Sequence, residues 1–105
     1  MINNEIVSDA IEYILIHIGE NITLEEVADH SHMSVSYFSR IFKEQTGQSV
    51  YAFIKRLKIE QSAMKLKMEA ERSITDIAQD YGYSSSNYSV AFHQYHKKAP
   101  SSFRR

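Results

Sequence analysis

The stretch SVSYFSRIFK, Ser34 to Lys43, sets a guanidinium at position 40 and an ammonium at position 43 among hydroxyls and a phenol. If Phe38, Ile41 and Phe42 face a core, helical spacing turns Ser36, Tyr37, Ser39, Arg40 and Lys43 outward. An arginine fork matches the O6 and N7 acceptors of guanine and is worth about 1 to 3 kcal/mol of discrimination when it reads them. A lysine is a point charge suited to phosphate oxygens. These residue types point to a helix laid against nucleic acid. Arg40 is the leading base reader, with Ser36, Tyr37 and Ser39 as further base contacts, and Lys43, nearer the helix end, is a phosphate contact.

The pattern returns 50 residues later as SSSNYSVAFH, Ser84 to His93, with four identical positions and no gap. Here the outward set is Ser85, Ser86, Asn87, Ser89, Val90 and His93. Asn87 suits adenine, Val90 suits the methyl group of thymine, and Ser86 can bond base edges. Ser85, Ser89 and His93 are expected on phosphates. This face carries no Arg or Lys, so it should discriminate more weakly than the first.

The two faces need elements to carry them. Thr23 with Glu26 makes a T-x-x-E capping box that opens a short helix through Leu24, Val27 and Ala28. Ser34 caps a second helix that Gly47 ends. A short helix, a turn and a second helix form a helix-turn-helix, whose second helix enters the major groove by its N-terminal part. Fifty residues on, Ser73 and Asp76 replace Thr23 and Glu26, Ile77 replaces Val27, Ala78 repeats Ala28, and Gly82 lies in the turn, where it takes a left-handed conformation without strain. Tyr88, Phe92 and Phe103 match Phe38, Phe42 and Phe53. The chain therefore reads as two helix-turn-helix units, about 23–47 and 73–98, and helix N-termini near Leu24 and Ile74 offer further grips for phosphate.

Before the first unit, residues 4–18 place Ile6, Val7, Ala10, Ile11, Ile14, Leu15 and Ile18 on one face, with Gly19 as the stop. Between the units, 49–68 reads as one long helix, with Val50, Phe53, Ile54, Leu57, Met64 and Met68 on one stripe and Ile59, Ser62 and Leu66 on a second. At ~1.5 Å per residue it would span roughly 27 to 30 Å, close to the ~34 Å between successive major-groove faces.

A chain of 105 residues with 43% hydrophobic residues, three Gly and one Pro suits one compact helical domain or two small subdomains. The net charge of −1 is unevenly distributed: residues 1–33 hold seven acids and no Lys or Arg, whereas 34–58 hold Arg40, Lys43, Lys55, Arg56 and Lys58 against Glu44. Residues 81–105 add Lys97, Lys98, Arg104 and Arg105. Segregated charge lets a near-neutral protein bind a polyanion. No apolar run is long enough for a bilayer and no series of residues resembles a signal peptide, so a cytoplasmic location is expected.

Catalytic and metal chemistry finds little support. There is no cysteine, no glycine-rich phosphate loop and no nucleophile elbow. His93 and His96 have chelating spacing, and His30 and His32 flank the first turn, but a third ligand is not evident. Glu25 and Glu26 are read as first-turn dipole partners. The expectation is no enzyme, no metal and no cofactor.

On LEEVADHSHMSVSYFSRIFKEQTG (Leu24 to Gly47), SITDIAQDYGY (Ser73 to Tyr83), YSVAF (Tyr88 to Phe92) and APSSFR (Ala99 to Arg104), nearly the whole chain resembles the DNA-binding domain of AraC/XylS bacterial transcription regulators. It departs from the common pattern in a second turn one residue shorter, in Val90 where Arg is frequent, and in Ala99 where Gly is frequent. The resemblance implies an all-α, seven-helix, homeodomain-like fold over 1–105, binding double-stranded DNA for transcriptional regulation, with RNA polymerase as a further partner. Family members usually join this domain to a sensing domain, so a piece of a longer regulator and a stand-alone monomeric regulator are both open. The alternative function, a helical protein-interaction module, would require apolar residues on the two outward faces.

Overall fold

The computed structural model of the chain describes residues 2–104, with side chains from residue 5 onward. Among the described residues there are seven helices and no strand: α1 (Ile2–Ile16), α2 (Leu24–His30), α3 (Val35–Thr46), α4 (Val50–Met68), α5 (Ile74–Asp80), α6 (Ser85–His96) and α7 (Pro100–Arg104). The all-α, seven-helix expectation holds. Two compact units, Met1–Lys55 and Arg56–Arg105, divide the chain, and α4 runs unbroken through the boundary.

In the first unit Val7, Ala10, Ile14 and Ile18 are buried with Val27, Ala28, Phe38, Ile41, Phe42, Val50, Phe53 and Ile54. Phe53 meets Phe42 edge-on at 5.2 Å. The expected first helix is corrected at both ends: α1 covers Ile2–Ile16 instead of 4–18. Gly19 lies in the turn beyond it and is not among the positive-φ glycines, so it is no left-handed cap. Leu15, expected on the packed face, is 43% exposed. It is one residue round from the buried Ile14, which takes the central position.

The caps form as their chemistry dictates. Thr23 Oγ1 accepts the Glu26 amide at 3.1 Å while Glu26 Oε1 accepts the Thr23 amide at 3.2 Å. Ser34 accepts from Tyr37 N, and Gly47 ends α3 at φ +79°. Ser49 Oγ accepts from Ala52 N at 3.1 Å, so it caps α4 instead of belonging to it.

The second unit packs Ile59, Ala63, Leu66, Ile77, Ala78, Tyr81, Tyr88, Ala91 and Phe92 into one core, flanked by Ile74, Tyr83 and Phe103. Met64 and Met68 were expected to be packed; they are 63% and 76% exposed. They continue the 50, 53, 54, 57 periodicity that serves the first unit, but the second unit buries 59, 62, 63 and 66 instead. Arg104 closes the unit by donating from Nε to the Leu66 carbonyl at 2.8 Å and from Nη2 to the Glu69 carbonyl at 2.9 Å, partnering carbonyls that a helix end leaves over. Arg72 donates to both oxygens of Asp80, at 2.6 and 3.1 Å, and to Glu69 at 3.0 Å. That guanidinium, with Lys65 at 3.3 Å, holds the Asp80 carboxyl below its ordinary pKa.

Candidate nucleic-acid interface

The first face is the outer side of α3. Ser34 Oγ fixes the Tyr37 amide at 3.2 Å, which locks the first turn that carries the outward side chains. Ser36, Tyr37, Arg40 and Lys43 are exposed and Ser39 is half-buried, so Ser39 lies at the edge of the face. Ser34, Ser36, Tyr37 and Arg40 line an open concavity of about 370 Å³. The Arg40 guanidinium carbon sits 5.2 Å from the Tyr37 ring centroid.

Charge at this face is not cancelled. Among the described residues, Arg40 and Lys43 have no ion-pair partner, whereas Arg56 pairs with Glu60 at 3.0 Å, Lys65 with Asp80, and Arg72 with Glu69 and Asp80. Arg104, counted with the basic C-terminal segment, is engaged by the carbonyls of Leu66 in α4 and of Glu69 just beyond it. Lys98 lies 5.7 Å from the Phe103 ring. Arg105 falls outside the described residues.

The second face is the outer side of α6. Ser84 Oγ accepts the Asn87 amide at 3.2 Å, and Ser85, Ser86, Asn87, Ser89, Val90 and His93 are all exposed. Thr75 Oγ1 lies 3.4 Å from Ser85 Oγ, a hydroxyl contact between the starts of α5 and α6 that no local pattern marks. The Tyr37–Arg40 contact was also missed, although its i, i+3 spacing on a helix could have shown it. Apart from Tyr37 and Val90 the two faces are polar or charged, which disfavours the protein-interaction alternative.

Helix N-termini offer less to phosphate than expected. The capping box occupies the Thr23 and Glu26 amides and leaves two carboxylates, Glu25 and Glu26, in the first turn of α2. Ser73 takes the Asp76 amide of α5 at 3.0 Å.

Two of the histidines are engaged within the fold. The His96 ring packs on Phe92 at 4.5 Å and Phe103 at 5.2 Å, so it does not stand open beside the exposed His93. His30 Nε2 lies 3.1 Å from Asp9 Oδ2 and stacks on Tyr13 at 4.3 Å. Among the described residues no group of three or more His, Asp or Glu could hold a metal ion, and no helix is long and apolar enough to cross a membrane.

Each unit carries a short helix, a four-residue turn at 31–34 or 81–84, and a 12-residue helix whose first turn exposes two or three side chains, Ser36 and Tyr37 or Ser85, Ser86 and Asn87. This defines a double helix-turn-helix domain built to present two helices to nucleic acid. The family described as "Helix-turn-helix domain" matches residues 27–105. The regulatory protein SoxS of Escherichia coli is 32% identical over 105 residues, covering 99% of this chain and 97% of SoxS. The regulatory protein PocR of Salmonella typhimurium is 33% identical over 97 residues, covering 91% of this chain, which spans only 32% of PocR's length. Among solved structures, the C-terminal domain of AraT, a response regulator from Geobacillus stearothermophilus, is similar with a TM-score of 0.85 and 32% identity, over 95% of this chain and 84% of that one. The chain belongs to the AraC-type helix-turn-helix family of DNA-binding transcription regulators.

Proposed function

We propose that the chain reads an asymmetric double-stranded DNA site as a monomer, with α3 supplying most of the sequence discrimination and α6 a weaker, uncharged second contact. The observation that carries this division is Arg40 with Lys43: two cations without carboxylate partners on α3, against hydroxyls, an amide, an alkyl group and an imidazole on α6. Arg40 reads guanine, with Ser36, Tyr37 and Ser39 around it, and Lys43 neutralises a phosphate. On α6, Ser86, Asn87 and Val90 meet bases while Ser85, Ser89 and His93 meet the backbone.

The role is regulation by binding DNA, as in the family of transcription regulators to which the chain belongs. A cytoplasmic location fits a DNA partner. RNA polymerase is the second partner, and a sensing domain on a longer chain is the source of control, a reading supported by relatives such as PocR, of which this chain spans about a third.

The experiment is selection of a site from random duplexes followed by anisotropy titrations over a salt series. With four to seven phosphates neutralised, log K falls against log salt with a slope of about −0.9 for each. Arg40→Ala loses about 1 to 3 kcal/mol on the selected site only, and Lys43→Ala weakens all duplexes alike. Binding that is indifferent to salt, or equal losses on selected and scrambled duplexes for both substitutions, would remove this reading.

A further inference from the structure

We infer that Tyr37 is a positioning residue for Arg40, a platform that aims the guanidinium, and not a base contact in its own right. The inference rests on the reading of Arg40 as the base-reading group.

The geometry comes first. Tyr37 and Arg40 stand three residues apart on α3, on the same side of the helix, with the guanidinium carbon 5.2 Å from the ring centroid. The Tyr37 backbone is fixed because its amide donates to Ser34 Oγ at 3.2 Å. Tyr37 is 45% exposed and flanks the same concavity as Arg40. An arginine with four rotatable bonds loses much freedom when it is held in one orientation for a bidentate contact. A cation resting on an aromatic face gives up part of that freedom before DNA arrives, and no carboxylate competes for it among the described residues.

The repeat supplies an internal control. Register 37 corresponds to 87 and register 40 to 90, and the second unit has Asn87 and Val90 there. The ring and the guanidinium are present together in one unit and absent together in the other, although Ser34, Ser36, Ser39 and Phe42 are kept as Ser84, Ser86, Ser89 and Phe92. Positions 35, 38, 41 and 43 change as well, but of the outward residues only Tyr37 and Arg40 form a ring–cation pair, and the second unit lacks both halves of it.

The test compares affinity for a site selected from random duplexes with affinity for a scrambled duplex. Tyr37→Phe keeps the ring and retains the parent ratio; Tyr37→Leu lowers the ratio by about two- to fivefold, the worth of an exposed cation–π contact. In an Arg40→Ala background, Tyr37→Leu changes the ratio no further. In the DNA-free protein, the side-chain proton resonances of Arg40 carry an upfield ring-current shift that Phe preserves and Leu abolishes. Equal losses for Phe and Leu would make the hydroxyl a direct DNA contact and overturn the inference, as would additivity with Arg40→Ala or absence of the ring-current shift. Failure of the underlying reading looks different: Arg40→Ala alone would then leave the ratio at the parent value, and the inference would fall with it.

Discussion

The Tyr88 hydroxyl donates to Ser62 Oγ at 2.7 Å, and Ser62 Oγ donates in turn to the Ile59 carbonyl at 2.7 Å. Both side chains are fully buried, so this chain of hydroxyls joins α6 to α4 inside the second core. The first unit has no such link, since Phe38 stands where Tyr88 does.

The two ends of that bond are unequal. Ser62→Ala strands a buried phenol without an acceptor and costs about 1 to 3 kcal/mol, whereas Tyr88→Phe removes the stranded group with the bond and costs only about 0.5 to 1.5 kcal/mol. The double substitution then stays near Tyr88→Phe alone. Urea unfolding of the three variants measures this cycle, and simple additivity would mean that the hydroxyls are satisfied some other way.

The two units share their left-handed positions unevenly. In the first, His32 takes φ +58° in the turn and Gly47 +79° after α3; in the second, Gly82 takes +82° in the turn and Lys97 +59° after α6. Each unit thus has glycine at one of the two positions and a strained side chain at the other. Nothing lies within 4 Å of a Cβ added to Gly47 or Gly82, so Gly47→Ala and Gly82→Ala lose only the conformational term, about 1 to 2 kcal/mol. His32→Gly and Lys97→Gly relieve the same term and lower stability not at all. Thermal unfolding of the four variants reads the signs directly, and a drop for either reverse substitution would assign that side chain a stabilising contact.

Acid should weaken the second unit through Asp80. The Arg72 guanidinium depresses the pKa of this carboxyl in the folded chain, so the folded state binds its proton less readily than the unfolded state does. The contribution is therefore present above the unfolded value of about 3.9 and is lost as pH falls through that value toward the depressed one. Asp80→Asn lowers the urea midpoint at pH 7 and flattens its decline between pH 5 and 3. An unchanged acid limb in Asp80→Asn would place the sensitivity on other carboxyls.

Sequence made the local chemistry legible and left the tertiary chemistry hidden. Thr23 with Glu26, Ser34, Ser73, Gly47 and Gly82 announced their caps and turns because the groups that bond lie within a few residues, and Phe38, Ile41 and Phe42 announced the core face by spacing. Met64 and Met68 misled because periodicity carries no sign of where one core stops. The Arg72–Asp80 and Arg104–Leu66 contacts lie eight and 38 residues apart along the chain, and no local pattern marks them. At the interface the outward sets of α3 and α6 followed from helical spacing, and the Arg56–Glu60 and Arg72–Glu69 pairs lie at the i,i+4 and i,i+3 spacings a helix offers. The neutralisation of Lys65 and Arg72 by Asp80 did not follow, because that carboxylate reaches its partners through packing.

The second helix-turn-helix gives the sharpest test of a division of labour. Asn87 and Val90 are exposed on α6, and the cap at this helix start uses the Asn87 amide and not its side chain, so Asn87→Ala with Val90→Ala leaves the fold intact. If α6 meets bases through these two residues, the double substitution removes an amide pairing and a methyl contact but no positive charge. Affinity for the selected site then falls while the slope of log K against log salt stays at the parent value, because that slope counts neutralised phosphates. Lys43→Ala provides the opposite signature, a slope reduced by about 0.9 with sequence preference kept. In a hydroxyl-radical footprint the double substitution blurs protection at one end of the site only, and the end read by Arg40 remains protected. Loss of protection at both ends together, or a footprint and affinity identical to the parent's, would show that α6 only buttresses the fold and that one helix reads the DNA alone.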